Sequence, residues 1–145
     1  VPSTFTLVTE SSAPAEALFD ASLDIDLHVA SMSRSGERAV AGVTTGRIGL
    51  GESVTWRARH VGIWFTMTSR VTALEHPTRF VDEQVRGPFR SFSHVHLVES
   101  TPSGSRLTDV VTLASPVLGV LAERLFLVPY LRRLIRERNR VLPGV

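Results

Sequence analysis

The sequence predicts an α+β domain: a curved antiparallel sheet of seven strands covered by one long C-terminal helix. Three observations carry that prediction. Between Arg38 and Leu113 apolar residues recur at every second position, the period of a half-buried strand. The turn signals between these runs are too closely spaced for helical crossovers, so neighbouring strands must be antiparallel. From Val117 onward the apolar spacing lengthens to three and four, which marks one amphipathic helix.

Thr4–Thr9 alternates as the first strand, with Phe5 and Leu7 on one side. Ser11 and Ser12 are candidate caps ahead of Ala13 and Pro14. Proline is tolerated in a first helical turn, so Glu16, Ala17, Leu18 and Phe19 begin a short helix. A second short helix covers Leu23 to Val29. Neither is long enough to persist without tertiary packing. Six further strands follow at 38–44, 50–60, 64–75, 79–86, 91–99 and 106–113, with glycine and proline turns between them. Pro116 opens the terminal helix, whose apolar stripe runs through Val117, Val120, Leu121, Leu125, Val128, Leu131, Leu134 and Ile135. Pro129 has no N–H to offer the carbonyl of Leu125, which predicts a bend there. A rod cannot follow a curved sheet along its whole length, so a cavity between them is expected.

The 145 residues read as one domain, 1–145, with no internal repeat or low-complexity linker. There is no Cys, which excludes disulfides, thiolate nucleophiles and Cys-ligated zinc. There is no Lys either, so a Walker A lysine and a Schiff base are ruled out. The glycines between Gly42 and Gly51 precede a strand rather than a helix, against a dinucleotide fingerprint. A net charge of +2 asks for no nucleic acid. Charge is uneven, however. Arg132, Arg133, Arg136, Arg138 and Arg140 face only Glu137 in the last fifteen residues, a net of +4. The cluster reads as a solvated helix end, with an acidic partner as the functional alternative. No apolar run is long enough to span a membrane and no signal-peptide pattern is visible, so the cytoplasm is the default location. Oligomeric state is not encoded in any pattern here.

The sharpest signal lies between Arg79 and Leu113. Phe80, Asp82, Gln84 and Arg86 share one face of a strand, and Phe92, His94, His96 and Val98 share one face of the next. Closing the hairpin through Gly87–Arg90 sets Gln84 opposite His94 and Asp82 opposite His96. Leu107, Asp109, Val111 and Leu113 then follow, with Asp109 opposite His96. Polar groups on an apolar face are costly unless satisfied. Three readings of Asp82, His96 and Asp109 stay open: a paired core network, the polar floor of a ligand pocket, or an acid–base site. Alternation along strands is not a metal-ligand motif, so no metal and no cofactor is assigned. Trp56 reads as core or cavity wall. Asp24 and His28, four apart on a helix, read as a cap or local ion pair, and His60 and His76 as turn residues at the surface.

These residues resemble the START-like superfamily, also called the helix-grip, Bet v 1-like or SRPBCC (polyketide cyclase/lipid-transport) group. The resemblance rests on Ala13–Phe19 after the first strand, Ser22–His28, Phe80–Gln84 followed by Gly87-Pro88-Phe89, His94-Val95-His96, Gly104–Asp109, and the helix after Ser115-Pro116. It covers essentially the whole chain and is closest to small bacterial single-domain members described as ligand-binding or cyclase/dehydrase-like. It implies a helix-grip fold whose cavity binds a small hydrophobic or amphipathic molecule: a lipid, polyketide or aromatic metabolite. The residues expected around that ligand are Trp56, Phe80, Gln84, Phe92, His94, Val111, Leu121 and Leu125. The alternatives are a polyketide cyclase or dehydratase-like enzyme using His96 with Asp82 and Asp109, and a structural or protein-interaction domain without a ligand.

Overall fold

The structure is a computed structural model and describes residues 2–32, 35–115 and 120–145. Seven antiparallel strands form one sheet in the order β1-β7-β6-β5-β4-β3-β2. They are β1 (Ser3–Ser11), β2 (Arg38–Gly42), β3 (Ser53–His60), β4 (Ile63–Glu75), β5 (Arg79–Arg86), β6 (Ser91–Thr101) and β7 (Gly104–Ala114). Helices α1 (Ala15–Ser22) and α2 (Ile25–Ser31) lie between β1 and β2. The sequence periodicity located every strand, since most bury one face; β2, at the sheet edge, has no buried residue. β7 shows it best: Ser105, Leu107, Asp109, Val111 and Leu113 are buried in strict alternation. Register shifts between β4 and β5, at Thr68/Ser69 and Val71/Ala73, are the bulges that help a sheet to curve.

The helix starts differ from the sequence reading. Neither Ser11 nor Ser12 caps α1; Pro14 occupies the cap position without a side-chain bond. Ser11 instead accepts from Ala13 N at 3.0 Å and donates to Pro143 O at 2.6 Å, tying the end of β1 to the C-terminus. Helix α2 begins at Ile25, two residues later than expected, because the Asp24 carboxylate accepts from Leu27 N at 3.0 Å and fixes the first turn.

The C-terminal helix carries the main correction. Pro116 and Val117, its expected start, lie outside the described residues. The described helix runs through α3 (Val120–Ala122), a π-helical turn (Glu123–Leu127) and α4 (Val128–Asn139). The wide turn stands immediately before Pro129, whose missing N–H would leave a carbonyl of a regular α-turn unpaired. It inserts a residue into the repeat and so rotates everything upstream of it. The unbroken 3.6-residue stripe put Leu121 and Leu125 inward, but they are 72% and 58% exposed. Glu123 and Leu127 turn inward instead. Glu123 is buried, taking a hydrogen bond from Ser3 Oγ at 2.9 Å and from Ser115 N at 2.6 Å. No helix among the described residues is long and apolar enough to cross a membrane.

The core has two parts. Leu18, Phe19, Phe80, Val98 and Leu107 join α1 to the middle of the sheet, while Phe5, Val111 and Leu113 meet Leu127, Leu131 and Ile135 of the helix. Leu107 is fully buried, so Leu107→Ala should cost about 2–5 kcal/mol in urea unfolding. Leu125→Ala should stay within about 0.5 kcal/mol, the range of a surface change. A large loss from Leu125→Ala would place that side chain back in the core.

Candidate functional site

Between the concave face of the sheet and the helix lies a cavity of about 760 Å³. Its walls are apolar and strand-borne. Val54, Trp56 and Ala58 of β3 and Met67 and Val71 of β4 line one side, and Leu131, Leu134 and Ile135 of α4 close the other. Phe80 and Phe92 complete the wall, as expected from the sequence. Polar side chains enter it at three places: Asp82 of β5 with His94 and His96 of β6 and the nearby Arg138, His60 with Tyr130, and Asp24 with His28 and Glu37.

The register that builds this cluster is partly the one read from the sequence. His96 pairs with Asp109 and Val98 with Leu107, as expected. The β5–β6 hairpin closes two residues differently, with Asp82 opposite His94 and Phe80 opposite His96. The reason is Gln84. Its amide donates to Phe89 O at 2.7 Å and accepts from Phe89 N at 3.1 Å, making it the clasp of a wider turn. A Cβ on Gly87 would meet Gln84 Oε1 at 2.5 Å, so the clasp needs glycine there. Gln84 is therefore spent on backbone and lies outside the cavity lining, contrary to its expected ligand role.

Within the cluster, His96 Nε2 lies 2.7 Å from Asp82 Oδ2, a diagonal contact that survives the changed register. His94 Nε2 lies 2.7 Å from Asp109 Oδ1, and His96 Nδ1 lies 3.4 Å from the same oxygen. The two imidazoles stack at 3.8 Å, and Phe80 stacks on the other face of His96 at 3.9 Å. Asp109 is fully buried behind them; Asn139 of α4 donates to its second oxygen at 2.8 Å and to Thr9 Oγ1 at 3.1 Å. Arg138, also buried, lines the cavity and donates to Ser22 O at 3.0 Å.

The electrostatics separate the two histidines. Burial works against a His96 cation, but the Asp109 carboxylate 3.4 Å from Nδ1 and the Nε2 bond to Asp82 outweigh that, and its affinity for the proton rises above the ordinary histidine value. His94 goes the other way: burial and the neighbouring His96 charge push it down, and its bond to Asp109 does not make up the difference. Burial would raise both carboxylates, yet the histidine hydrogen bonds hold Asp82 and Asp109 below their usual range. Two carboxylates thus stand against the Arg138 cation and a His96 that favours its extra proton, while His94 favours the neutral ring. With its Nε2–H given to Asp109, the neutral His94 keeps its lone pair on Nδ1, which makes no hydrogen bond among the described residues.

Asp82, His94 and His96 each offer one ligand atom within 4.8 Å of the others. Ring lone pairs lie in the ring plane, however, and rings inclined by only 18° send them along nearly parallel lines rather than onto one ion. Each histidine also already meets a carboxylate. As folded, the donor set suits proton exchange better than a tetrahedral metal. A second trio, Glu16, Asp20 and His76, lies on the surface, where Asp20 already binds His76 at 2.9 Å and Arg47 at 3.4 Å.

Of the remaining sequence candidates, Val111 is wholly buried in the core and Leu121 and Leu125 face outward, so none of the three lines the cavity. Their placement followed the unbroken helix and the simple alternation of β7. His60 is a lining residue rather than a surface turn residue; its Nδ1 meets Tyr130 Oη at 2.7 Å, joining the sheet to the helix. His28 pairs with Glu37 and lies 4.2 Å from the Trp56 ring. The arginine cluster is divided. Arg138 turns inward and Arg132 reaches Thr6 O at 2.9 Å, while Arg133 lies 3.6 Å from Glu137. The inward turn of Arg138 was readable, since it continues the spacing of Leu131, Leu134 and Ile135.

No protein-family model and no curated protein matches the chain. Solved structures do. A protein from Thermus thermophilus, TTHA0849, superposes with a TM-score of 0.75 at 15% identity over 96% of both chains. The KanY protein (ms6282) gives 0.70 at 19% identity over 97% of this chain and 93% of its own. Ara h 8.0201 gives 0.69 at 16% identity over 97% of each. At such identities the likeness concerns the fold, and it agrees with the strand order, the paired short helices and the terminal helix described above. The chain has the helix-grip fold that these structures share.

Proposed function

We propose that the cavity takes up a small, largely apolar molecule bearing a carbonyl and catalyses proton transfer on it, as in isomerisation, dehydration or cyclisation. The observation that carries this reading is the stacked histidine pair at the polar end of an apolar cavity, with proton affinities driven in opposite directions. Paired groups separated in this way supply a base and an acid side by side. His94 Nδ1 takes a proton from the carbon next to the carbonyl. His96 gives one to the carbonyl oxygen, directly or by way of Asp82, which shares its Nε2 proton and lines the cavity. The substrate becomes an enol, His94 becomes the cation and His96 the neutral ring, so the buried charge does not change. Asp109 fixes the His94 tautomer in the way a triad carboxylate orients its histidine. The predominantly apolar walls, with Val54, Trp56, Ala58, Val71, Leu131 and Ile135, favour a second reading, binding without chemistry.

Two measurements separate them. Prodan, a naphthyl ketone whose emission reports its surroundings, should bind saturably at about one per chain, and Ala58→Phe, which fills the β3 wall, should abolish that binding. Failure to bind would count against both readings. Hydrogen–deuterium exchange at the α-carbon of 2-tetralone, followed by NMR in D₂O, tests the chemistry. His94→Gln and His96→Gln should each slow the protein-catalysed exchange by about 10²–10⁴-fold. A change within about threefold, with prodan still bound, would leave binding alone.

The same charges predict a pH profile of stability. His96 binds its proton more tightly in the fold, so its contribution is complete below the unfolded value of 6.5 and is lost as pH rises through its raised folded value. His94 binds its proton less tightly, so stability falls as pH drops below 6.5 toward its folded value. The contributions of Asp82 and Asp109 disappear below 3.8. Urea unfolding should therefore show a maximum near neutrality, and His96→Gln should flatten the alkaline side. An unchanged alkaline limb in that variant would show that His96 is not the buried cation.

A further inference from the structure

We infer that the end of the molecule around the cavity mouth docks on an anionic lipid surface. The β3–β4 and β5–β6 turns, the end of β7 and the first described turns of the terminal helix all lie at one end of the antiparallel sheet. There the cavity opens between Val61 and Ile63 of the β3–β4 hairpin and Phe126 of the helix, which line it yet are 88%, 60% and 72% exposed. Leu121 and Leu125, turned outward by the π-helical turn, extend the apolar surface along the helix. Trp64, half exposed on the outer face of the same hairpin, has the Arg57 guanidinium 5.2 Å from its ring centroid. Isolated exposed apolar residues are ordinary, but a group of them around a cavity mouth marks a surface meant to be covered.

Charge says what covers it. Ser53–Thr68 contains Arg57 and Arg59 and no acid; Val85–Val98 contains Arg86 and Arg90 and no acid. Val120–Arg136 contains four arginines and one carboxylate, Glu123, which is buried. Glu37, which also lines the cavity, is held by His28. Several acids lie at the opposite end, where Glu10 and Glu99 bind Arg106, Glu75 binds Arg79, and Asp20 binds His76. The apolar mouth thus stands at an end of the molecule rich in arginine, with Arg57 and Arg59 on the outer face of β3 and Arg86, Arg90 and Arg124 on the adjoining turn and helix. A bilayer with anionic headgroups offers the matching arrangement: phosphates for guanidinium forks, an interface suited to tryptophan, and acyl chains below. Docking there would let an apolar molecule pass between bilayer and cavity without crossing water.

The experiment is co-sedimentation of the full chain with phosphatidylglycerol/phosphatidylcholine vesicles, with pure phosphatidylcholine as the control and, in a Trp56→Phe variant, Trp64 emission as a second readout. Binding should require phosphatidylglycerol, weaken with added salt, and shift the emission to the blue. Arg59→Gln with Arg124→Gln should weaken it by about fivefold per arginine removed. Leu121→Gln with Leu125→Gln, remote from the cavity lining and the core, should weaken it while leaving prodan binding intact. Equal sedimentation with both vesicle types, none with either, or insensitivity to both variant pairs would overturn the inference. Vesicle binding is read with no ligand and prodan binding with no vesicles, so failure of one leaves the other standing.

Discussion

The structure turns on the burial of one carboxylate. Asp109 sits in the alternating face of β7 between Leu107 and Val111, where an unpaired charge would be prohibitive. Its oxygens are met from both layers: His94 of the sheet takes one and Asn139 of the helix the other. The helix is therefore fastened at its C-terminal end by a polar contact as well as by Leu142 in the core. Removing either partner would leave a buried charge half satisfied, which is costlier than the loss of an ordinary hydrogen bond. The same carboxylate sets the protonation of the histidines in front of it, so fold and site rest on one group.

The opposite end of the helix is governed by Pro129. The widened turn before it moves Glu123 and Leu127 inward and Leu121 and Leu125 outward. A regular helix would have buried those leucines against the sheet and narrowed the space there. Instead the terminal helix is held at Asn139 and Arg138, and at Tyr130 through His60, and its first described turns leave apolar surface bare beside Phe126, itself a lining residue of the cavity.

Most of the fold was legible because burial on one face of a strand writes itself into a two-residue period. The polar cluster was legible for the same reason, since Asp82, His94, His96 and Asp109 interrupt apolar faces. What escaped depends on local departures from period. The clasp of Gln84 on Phe89 shifted the hairpin by two residues, and the π-helical turn moved the helix stripe by one. Each is a hydrogen-bonding decision made by a few atoms, and neither alters the hydrophobic pattern from which faces are read. Leu121, Leu125 and Gln84 were misplaced on those two accounts. His60 was missed for a third reason: a residue at the end of a strand can fold back under a helix that sequence spacing does not bring near it.

The division of labour between the two histidines follows from position more than from residue type. They are two apart on one strand and stacked, so a second cation would sit 3.8 Å from the first, in surroundings that screen little. Only one can hold the extra proton. His96 reaches both carboxylates and His94 only Asp109, so the proton belongs on His96. Arg138 supplies the second positive charge and balances the second carboxylate, which removes any electrostatic need to charge His94. A paired structural network would be content with this arrangement at rest. The proposed acid–base role adds one requirement to it: the neutral ring keeps an unoccupied lone pair while His96 and Asp82 line the cavity, so that a proton entering at one ring and leaving at the other would not change the buried charge.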